Sequence, residues 1–446
     1  MIETSTRPSV VGAKPRVLIV PNMASWIIGQ MAMHVMHRFS DRYEFWYLTD
    51  KMIRVRPDLV KAILPSMDFI FPLTDKTYHL LRQAAGTTPL PPSLLWLHHI
   101  VQWSPSMREA VLQSAEIIAC TPEWKEQIEL ECPAGKPITV VPHGVDTTAL
   151  RRGESQRQEF GVPANAFVIG FVGSKTSNYD QGRKGLDTLL AVVQAARYWI
   201  PNLHLSFLGL GWEAEVQQLR LQGISANYVG FVPESELAAF YSSLDTYLMT
   251  SRVEGGPCTV LESMACETPV VATRVGLVPD VIVDGETGFS APIGDTDALL
   301  SAVLKLASSA SLRASMGKAA RAKVVAFRSW DETLRNLEAP FARLQTRRAA
   351  EFSRTASTSE VRADQLRGAV HAMDGLMWGV VNGAQRLISV SAAARLVRSC
   401  WEGCTASDVL RGVGLVSRLS FRPAGIRKLL RPETVPTVSD FSFSER

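Results

Sequence analysis

Cysteine is scarce. The 446 residues include only six, at 120, 132, 258, 266, 400 and 404, and no two form a Cys-x-x-Cys pair. Thiols so scattered exclude a zinc ribbon or a disulfide scaffold, and reduced thiols in a cytosolic compartment are expected. Strong charge of either sign is also lacking. The 47 basic and 43 acidic side chains leave a formal net charge of +4, too mild to point to nucleic acid. The start, Met1 to Pro15, is polar, carries Glu3 and has no apolar core segment, so no targeting signal is expected there. Residues 17–37 and 83–107 are free of Asp, Glu, Lys and Arg, yet both contain proline and polar groups. They read as buried strand–loop–helix units rather than membrane spans. With 46% hydrophobic and 20% charged residues, disorder and collagen-like structure are excluded, and apolar mass suffices for two large cores.

What is present is an alternation of short apolar runs and helical periodicity. The runs are 16–20, 43–48, 68–71, 94–97, 116–119 and 138–141, with helical patterns at 29–39, 76–85, 106–114 and 122–131. After the polar segment Asp146–Pro163, suited to a linker, the alternation restarts. Strands are expected at 167–172, 203–208, 246–249 and 269–272, and helices at 185–197, 213–220, 235–242, 259–266, 295–307 and 329–344. Alternation of this kind implies parallel sheets covered on both faces. The fold class is therefore α/β, with two facing Rossmann-like doubly wound domains and the ligand site expected in the cleft between them.

The densest functional signal is Thr250-Ser-Arg-Val-Glu-Gly-Gly-Pro-Cys-Thr-Val-Leu-Glu-Ser-Met-Ala-Cys266, which reads as strand end, glycine loop and helix. Gly255 and Gly256 lack a Cβ and admit a ligand close to the backbone. Pro257 suits the first helical turn. The free N–H groups after it, beginning with Cys258 and Thr259, make an anion site backed by the helix dipole, and diphosphate is the obvious anion. Glu254 and Glu262, with seven residues between them, flank that site. Carboxylates accept well from sugar hydroxyls, so their pairing with an anion site points to a nucleotide sugar.

Glu254-x7-Glu262, together with Arg183-Lys184-Gly185-Leu-Asp187, resembles the retaining glycosyltransferases of GT-B fold, family 4 (glycosyl transferases group 1). Val141-Pro-His-Gly-Val-Asp146, Phe207-Leu-Gly-Leu-Gly211, Tyr228-Val-Gly-Phe-Val-Pro233 and Val283-Asp-Gly-Glu-Thr-Gly288 support it. The resemblance spans about residues 16–345. It implies a glycosyltransferase of class EC 2.4 moving a sugar from a nucleoside diphosphate sugar, such as a UDP-sugar, to a hydroxyl acceptor on a glycan, lipid or small molecule. Polysaccharide or glycolipid synthesis is the expected setting. Glu262 would hold the ribose hydroxyls, Glu254 the transferred sugar, and Lys184 the diphosphate; Gly209, Phe231 and Val232 would lie near the base. The turn after the first strand of the second domain reads Gly173-Ser174, where the family usually has Gly-Arg, and either Arg183 or Lys175 is the candidate replacement cation. His98, first past the strand 94–97, would act near the donor sugar and acceptor, and His143 would be a hinge or lining residue. Gly29 would approach phosphate from the first helix, and Trp26 would stack on a ring or pack in the core. No Asp-x-Asp occurs in a metal-site context, so no metal or cofactor is expected.

The resemblance orders the chain as a disordered start (1–15), an acceptor domain (16–150), a nucleotide-sugar domain (164–330), a closing helix (331–347) and a tail (348–446). The tail opens on a Ser/Thr-rich linker and continues as a basic helical extension. It holds 14 basic and 9 acidic side chains, so the whole positive excess lies there. That composition suits peripheral contact with an anionic membrane surface, and a cytoplasmic location at its inner face is expected. Three alternatives are open: a sugar-nucleotide epimerase of the same fold, a sugar phosphorylase of similar architecture with a lysine-bound pyridoxal phosphate, and a non-enzymatic scaffold that retains the fold, against which the presence of Glu254, Glu262 and Lys184 weighs.

Overall fold

The computed structural model describes residues 14–22, 27–98, 102–175 and 178–352. Two compact units are formed, one within Met1–Ile70 and Leu80–Pro91, the other comprising Phe71–His79 and Pro92–Arg347. Trp26 and the tail beyond Phe352 lie outside the described residues, and the expectations attached to them fall there too.

In chain order the first elements are β1 (Arg16–Val20), α1 (Ile27–Phe39), β2 (Glu44–Tyr47), α2 (Asp50–Val55), α3 (Pro57–Ile63), β3 (Phe69–Pro72) and α4 (Asp75–Ala85). The first unit is built on the sheet β2-β1-β3, with β1 and β2 parallel from Arg16↔Glu44 to Ile19↔Tyr47. Leu18, Val20, Ile53, Val60, Ile63 and Ile70 form its apolar core.

The second unit begins with β4 (Leu94–Leu97), α5 (Pro105–Gln113), β5 (Glu116–Ala119), α6 (Pro122–Glu129) and β6 (Ile138–Val140), which give a parallel sheet of order β4-β5-β6. There follow β7 (Phe167–Val172), α7 (Asn178–Arg183), α8 (Leu186–Ala196), β8 (Leu203–Leu208), α9 (Glu213–Leu221), β9 (Ala226–Gly230), α10 (Glu234–Ser242) and β10 (Thr246–Met249). The chain continues through α11 (Cys258–Ala265), β11 (Val270–Thr273), α12 (Val278–Val281), β12 (Phe289–Ala291), α13 (Thr296–Ser308), α14 (Ala310–Phe327) and α15 (Trp330–Phe352). The six-stranded sheet has order β12-β11-β10-β7-β8-β9. The chain therefore builds outward from β7 on one side, then crosses to start again with β10 on the other. The crevice at the carboxyl ends of β7 and β10 is the topological switch point, where ligands bind in open parallel sheets.

Every residue of β7, β8, β10 and β11 is buried, as expected of strands covered on both faces. The segment Asp146–Pro163 is pinned down by polar contacts. The Arg157 guanidinium pairs with Asp245 at 2.7 Å, and the Gly153 N–H donates to the Ser242 hydroxyl at 3.0 Å. The closing helix runs from Trp330 to Phe352, longer than 331–347, so the stretch expected as linker from 348 begins as helix. Phe341 on it is edge-on to Phe71 at 5.4 Å, and Arg343 pairs with the buried Glu116 at the start of β5. Among the described residues, no helix is long and apolar enough to cross a membrane.

Candidate functional site

The loop from β10 to α11 carries the expected glycine-rich segment. Pro257 is the N-cap, with an extended ψ of 94°, and Cys258 opens the helix one residue ahead of the expected 259. The Pro257 carbonyl accepts from the Val260 N–H at 3.0 Å, which tightens the first turn. Cys258 and Thr259 are the leading residues of α11, and the Tyr247 hydroxyl donates to Thr259 Oγ1 at 2.8 Å.

Glu254 is 9% exposed and sits among donors. Its Oε1 accepts from Lys184 Nζ at 2.6 Å, Ser251 Oγ at 2.9 Å and Arg183 Nη1 at 3.1 Å. Burial pushes this carboxyl up, but Lys184 and Arg183 outweigh it and hold Glu254 below the ordinary carboxylate range. A buried carboxylate persists only when paired in this way. Lys184 is delivered by the break between α7 and α8. There Gly185 adopts φ +64°, and a Cβ would lie 1.9 Å from the Thr250 carbonyl oxygen. No other residue allows the two segments so close, and the Thr250 hydroxyl completes the clasp by donating to the carbonyls of Lys184 and Gly185.

Of the two candidate cations, Arg183 reaches Glu254. Lys175 turns elsewhere, with its Nζ 2.7 Å from Glu215 Oε1 and over the Trp212 ring. Glu262 projects from the second turn of α11 and is also 9% exposed. Its environment is the reverse of that of Glu254. Burial raises its carboxyl to about 7, against the counter-effect of a 2.8 Å hydrogen bond from the Tyr241 hydroxyl. Both glutamates nonetheless act on the same neighbours, adding to burial in raising the Tyr247 phenol and the Cys258 thiol.

A second group of side chains gathers at the carboxyl ends of the three-stranded sheet. His98 follows β4, Cys120 follows β5, and His143 lies three residues beyond β6. All three are buried. His98 Nδ1 is 2.8 Å from His143 Nε2, and His143 Nδ1 is 2.7 Å from the Gly256 carbonyl oxygen. Cys120 Sγ approaches the carbonyls of Leu97 and His98 at 3.1 and 3.2 Å and His143 Nε2 at 3.4 Å. Their ligand atoms lie within 4.8 Å of one another, a set that could hold a metal ion. Trp124, on α6, donates from Nε1 to the Glu254 carbonyl at 3.2 Å, a second tie to the glycine loop.

The remaining expected residues are less concentrated. Gly209 donates its N–H to the Gly230 carbonyl, which aligns the turns after β8 and β9, and Phe231 beside them is 47% exposed. Val232 is buried in the core. Gly29 is the third residue of α1 and buried, in the first unit. Sequence reasoning missed Ser251, Cys120, Trp124 and Tyr241. For Cys120 a signal existed, its position one residue past a parallel strand, whereas Tyr241 is an ordinary apolar position of α10.

Residues 153–323 match the family model described as "Glycosyl transferases group 1". Among curated proteins, D-inositol 3-phosphate glycosyltransferase of Acidothermus cellulolyticus is 29% identical over 57% of this chain and 60% of its own. GDP-mannose-dependent alpha-(1-6)-phosphatidylinositol monomannoside mannosyltransferase of Mycolicibacterium smegmatis is 34% identical over 31% of this chain and 39% of its own. The chain thus spans less than two thirds of the length of these relatives. Among solved structures, sucrose-phosphate synthase from Thermosynechococcus elongatus superposes with a TM-score of 0.63 at 16% identity, covering 75% of this chain and all of that one. Anabaena HepE in complex with UDP and glucose gives 0.60 at 17%, covering 74% of this chain and all of that one. Likeness of this extent assigns the GT-B fold.

Proposed function

We propose, from the match of residues 153–323 to the glycosyl transferases group 1 model, that the protein is a family 4 retaining glycosyltransferase. It moves a sugar from a nucleoside diphosphate sugar to a hydroxyl acceptor in glycan or glycolipid synthesis. The observation that carries the reading is Glu254, buried with Lys184 and Arg183 next to the start of α11. A diphosphate at that helix start draws Lys184 and Arg183 toward itself and releases Glu254 to accept from the sugar hydroxyls. Glu262 takes the ribose hydroxyls, and His98 stands beside the reacting sugar. The bond from the anomeric carbon to the diphosphate oxygen breaks, and the same carbon bonds to the acceptor oxygen on the same face. The acceptor proton goes to the departing diphosphate. Once the donor has drawn them in, these cations and the helix N–H groups stabilise the leaving charge without further reorganisation as the bond breaks. A UDP-sugar is the proposed donor, an assignment motivated by the UDP bound in HepE. No cofactor takes part in this scheme.

The test is a thermal-shift series with UDP, GDP and ADP on the full chain and on Glu262→Ala, followed by product analysis with the matching donor. A ligand that binds only the native state raises the melting point once its concentration passes Kd. A UDP shift that the variant lacks, with glycosylated product, is expected. No shift with any nucleotide refutes the donor site, and an isomerised donor without transfer replaces the proposal with an epimerase.

A further inference from the structure

The His98–His143–Gly256 chain has a direction that its atoms dictate. A carbonyl oxygen only accepts, so at 2.7 Å from Gly256 the proton must be on His143 Nδ1. A neutral imidazole carries one N–H, which leaves His143 Nε2 as an acceptor. That atom is 2.8 Å from His98 Nδ1, which must then be the donor. We propose that His143 is a positioning residue: through the Gly256 carbonyl it fixes His98 in the tautomer with Nδ1 protonated and Nε2 unprotonated. This deepens the transferase reading and rests on it. An unprotonated Nε2 can only accept, so a hydroxyl of the sugar or of the acceptor that reaches it does so as the donor.

The surroundings hold the relay in one arrangement. A Cβ on Gly256 would lie 2.3 Å from His143 Nδ1 and 2.7 Å from Cγ, so the ring rests directly on the glycine backbone. On the far side, a Cβ on Gly144 would lie 2.5 Å from Thr333 Oγ1 and 2.6 Å from the Ser329 carbonyl oxygen. With the Thr333 hydroxyl donating to the Pro142 carbonyl at 2.9 Å, the backbone on either side of His143 is held at the start of α15. Trp96 stacks on His98, with ring centroids 5.2 Å apart, and is tilted against His143 at 5.9 Å. The Cys120 thiol has two carbonyls closer than His143 Nε2 to receive its proton.

A metal at this cluster is the competing arrangement, and the nitrogen spacing speaks against it. Two imidazole nitrogens each ~2.0–2.1 Å from zinc at a tetrahedral angle stand roughly 3.3 Å apart. The observed 2.8 Å is a proton-sharing distance.

The experiment is ring-nitrogen NMR on the full chain carrying isotope-labelled histidine, with His98 and His143 among the eight histidines assigned by single substitution. The expected spectrum shows protonated Nδ1 and lone-pair Nε2 on both residues. Gly256→Ala pushes the His143 ring off its carbonyl, and His143→Ala removes it; both are expected to return His98 to a tautomer mixture. In sugar transfer, His143→Ala is expected to lower kcat by up to roughly 100-fold with UDP affinity unchanged, and His143→Asn, which keeps an amide donor and a carbonyl acceptor, to recover part of it. A protonated Nε2 on neutral His98 overturns the proposal. So does tight Co²⁺ binding with a thiolate charge-transfer band that Cys120→Ser abolishes. Absence of nucleotide binding in the unsubstituted chain would defeat the transferase reading instead, and the ring-nitrogen pattern would still decide the relay.

Discussion

Uridine should bind more tightly as pH rises, with the change ending near pH 7. Glu262 starts from an ordinary value of 4.5 and is raised to about 7, chiefly by burial. At about 1.4 kcal/mol per decade, that is about 3 kcal/mol held against the charged form. Ribose hydroxyls donate to the ionised carboxylate, so below the transition each molecule bound must expel a proton. Kd then falls about tenfold per pH unit between pH 5 and 7, roughly 100-fold in all, and levels above. The nucleoside is the ligand of choice because the phosphates of UDP titrate near ~6 and would blur the slope. Calorimetry in two buffers of different ionisation heat reads the released proton directly. Glu262→Gln should give a flat profile with no buffer dependence. Tyr241→Phe removes the bond that favours the charged form and should move the transition above 7. Stability runs with the opposite sign. A carboxyl raised on folding makes the native state the tighter proton binder, so stability falls as pH climbs from 4.5 to 7, by about 3 kcal/mol over the window. A pH-independent Kd in the unsubstituted chain, or an unchanged slope in Glu262→Gln, would refute the reasoning.

Lys184→Met takes one of two cations from a buried carboxylate and should cost about 3 kcal/mol in urea unfolding at pH 7. Because Glu254 is depressed on folding, the stability it contributes is present above 4.5 and is lost as pH falls. The variant should narrow its gap from the unsubstituted chain on acidification, and a constant gap would contradict the pairing. Arg343→Leu leaves Glu116, 2% exposed at the amino end of β5, with the Thr139 hydroxyl but no cation, and should lower stability by about 2 kcal/mol. Adding Glu116→Gln should restore much of that loss in a double-mutant cycle, and additive losses would deny the coupling. Removing residues 353–446 should weaken binding to anionic liposomes if the basic tail contacts a membrane; unchanged binding would dismiss that role.

The central strands were legible because parallel strands covered on both faces are written as unbroken apolar runs, as in Phe167–Val172 and Leu203–Leu208. The edge strands of the six-stranded sheet were not. β12 has three residues, and β9 is only half buried, so neither makes a run. The 18-residue α14 also escaped, since its apolar contacts (Met316, Gly317, Ala320 and Val324) are spread thinly among Ala, Lys, Arg and Ser. Its stability comes from Ser309 capping the Leu312 N–H and from Arg321 donating to the carbonyls of Leu150, Thr147 and Ala265. At the site, the convergence of Lys184, Arg183 and Glu254 could be anticipated from ordered motifs. The contact of His143 with Gly256 joins residues 113 apart. Local periodicity and spacing carry no record of such a meeting, which depends on how the chain crosses from one sheet to the other.

With one oxygen already shared among a lysine, an arginine and a serine, Glu254 has little to offer a sugar that arrives alone. A free monosaccharide has no anion with which to draw the cations away, so it meets a neutralised surface. On the proposed reading, the phosphates act as a key that must turn before the sugar is recognised. The resting ion cluster is then a filter: it ignores abundant free sugars and delays recognition until an activated donor is in place.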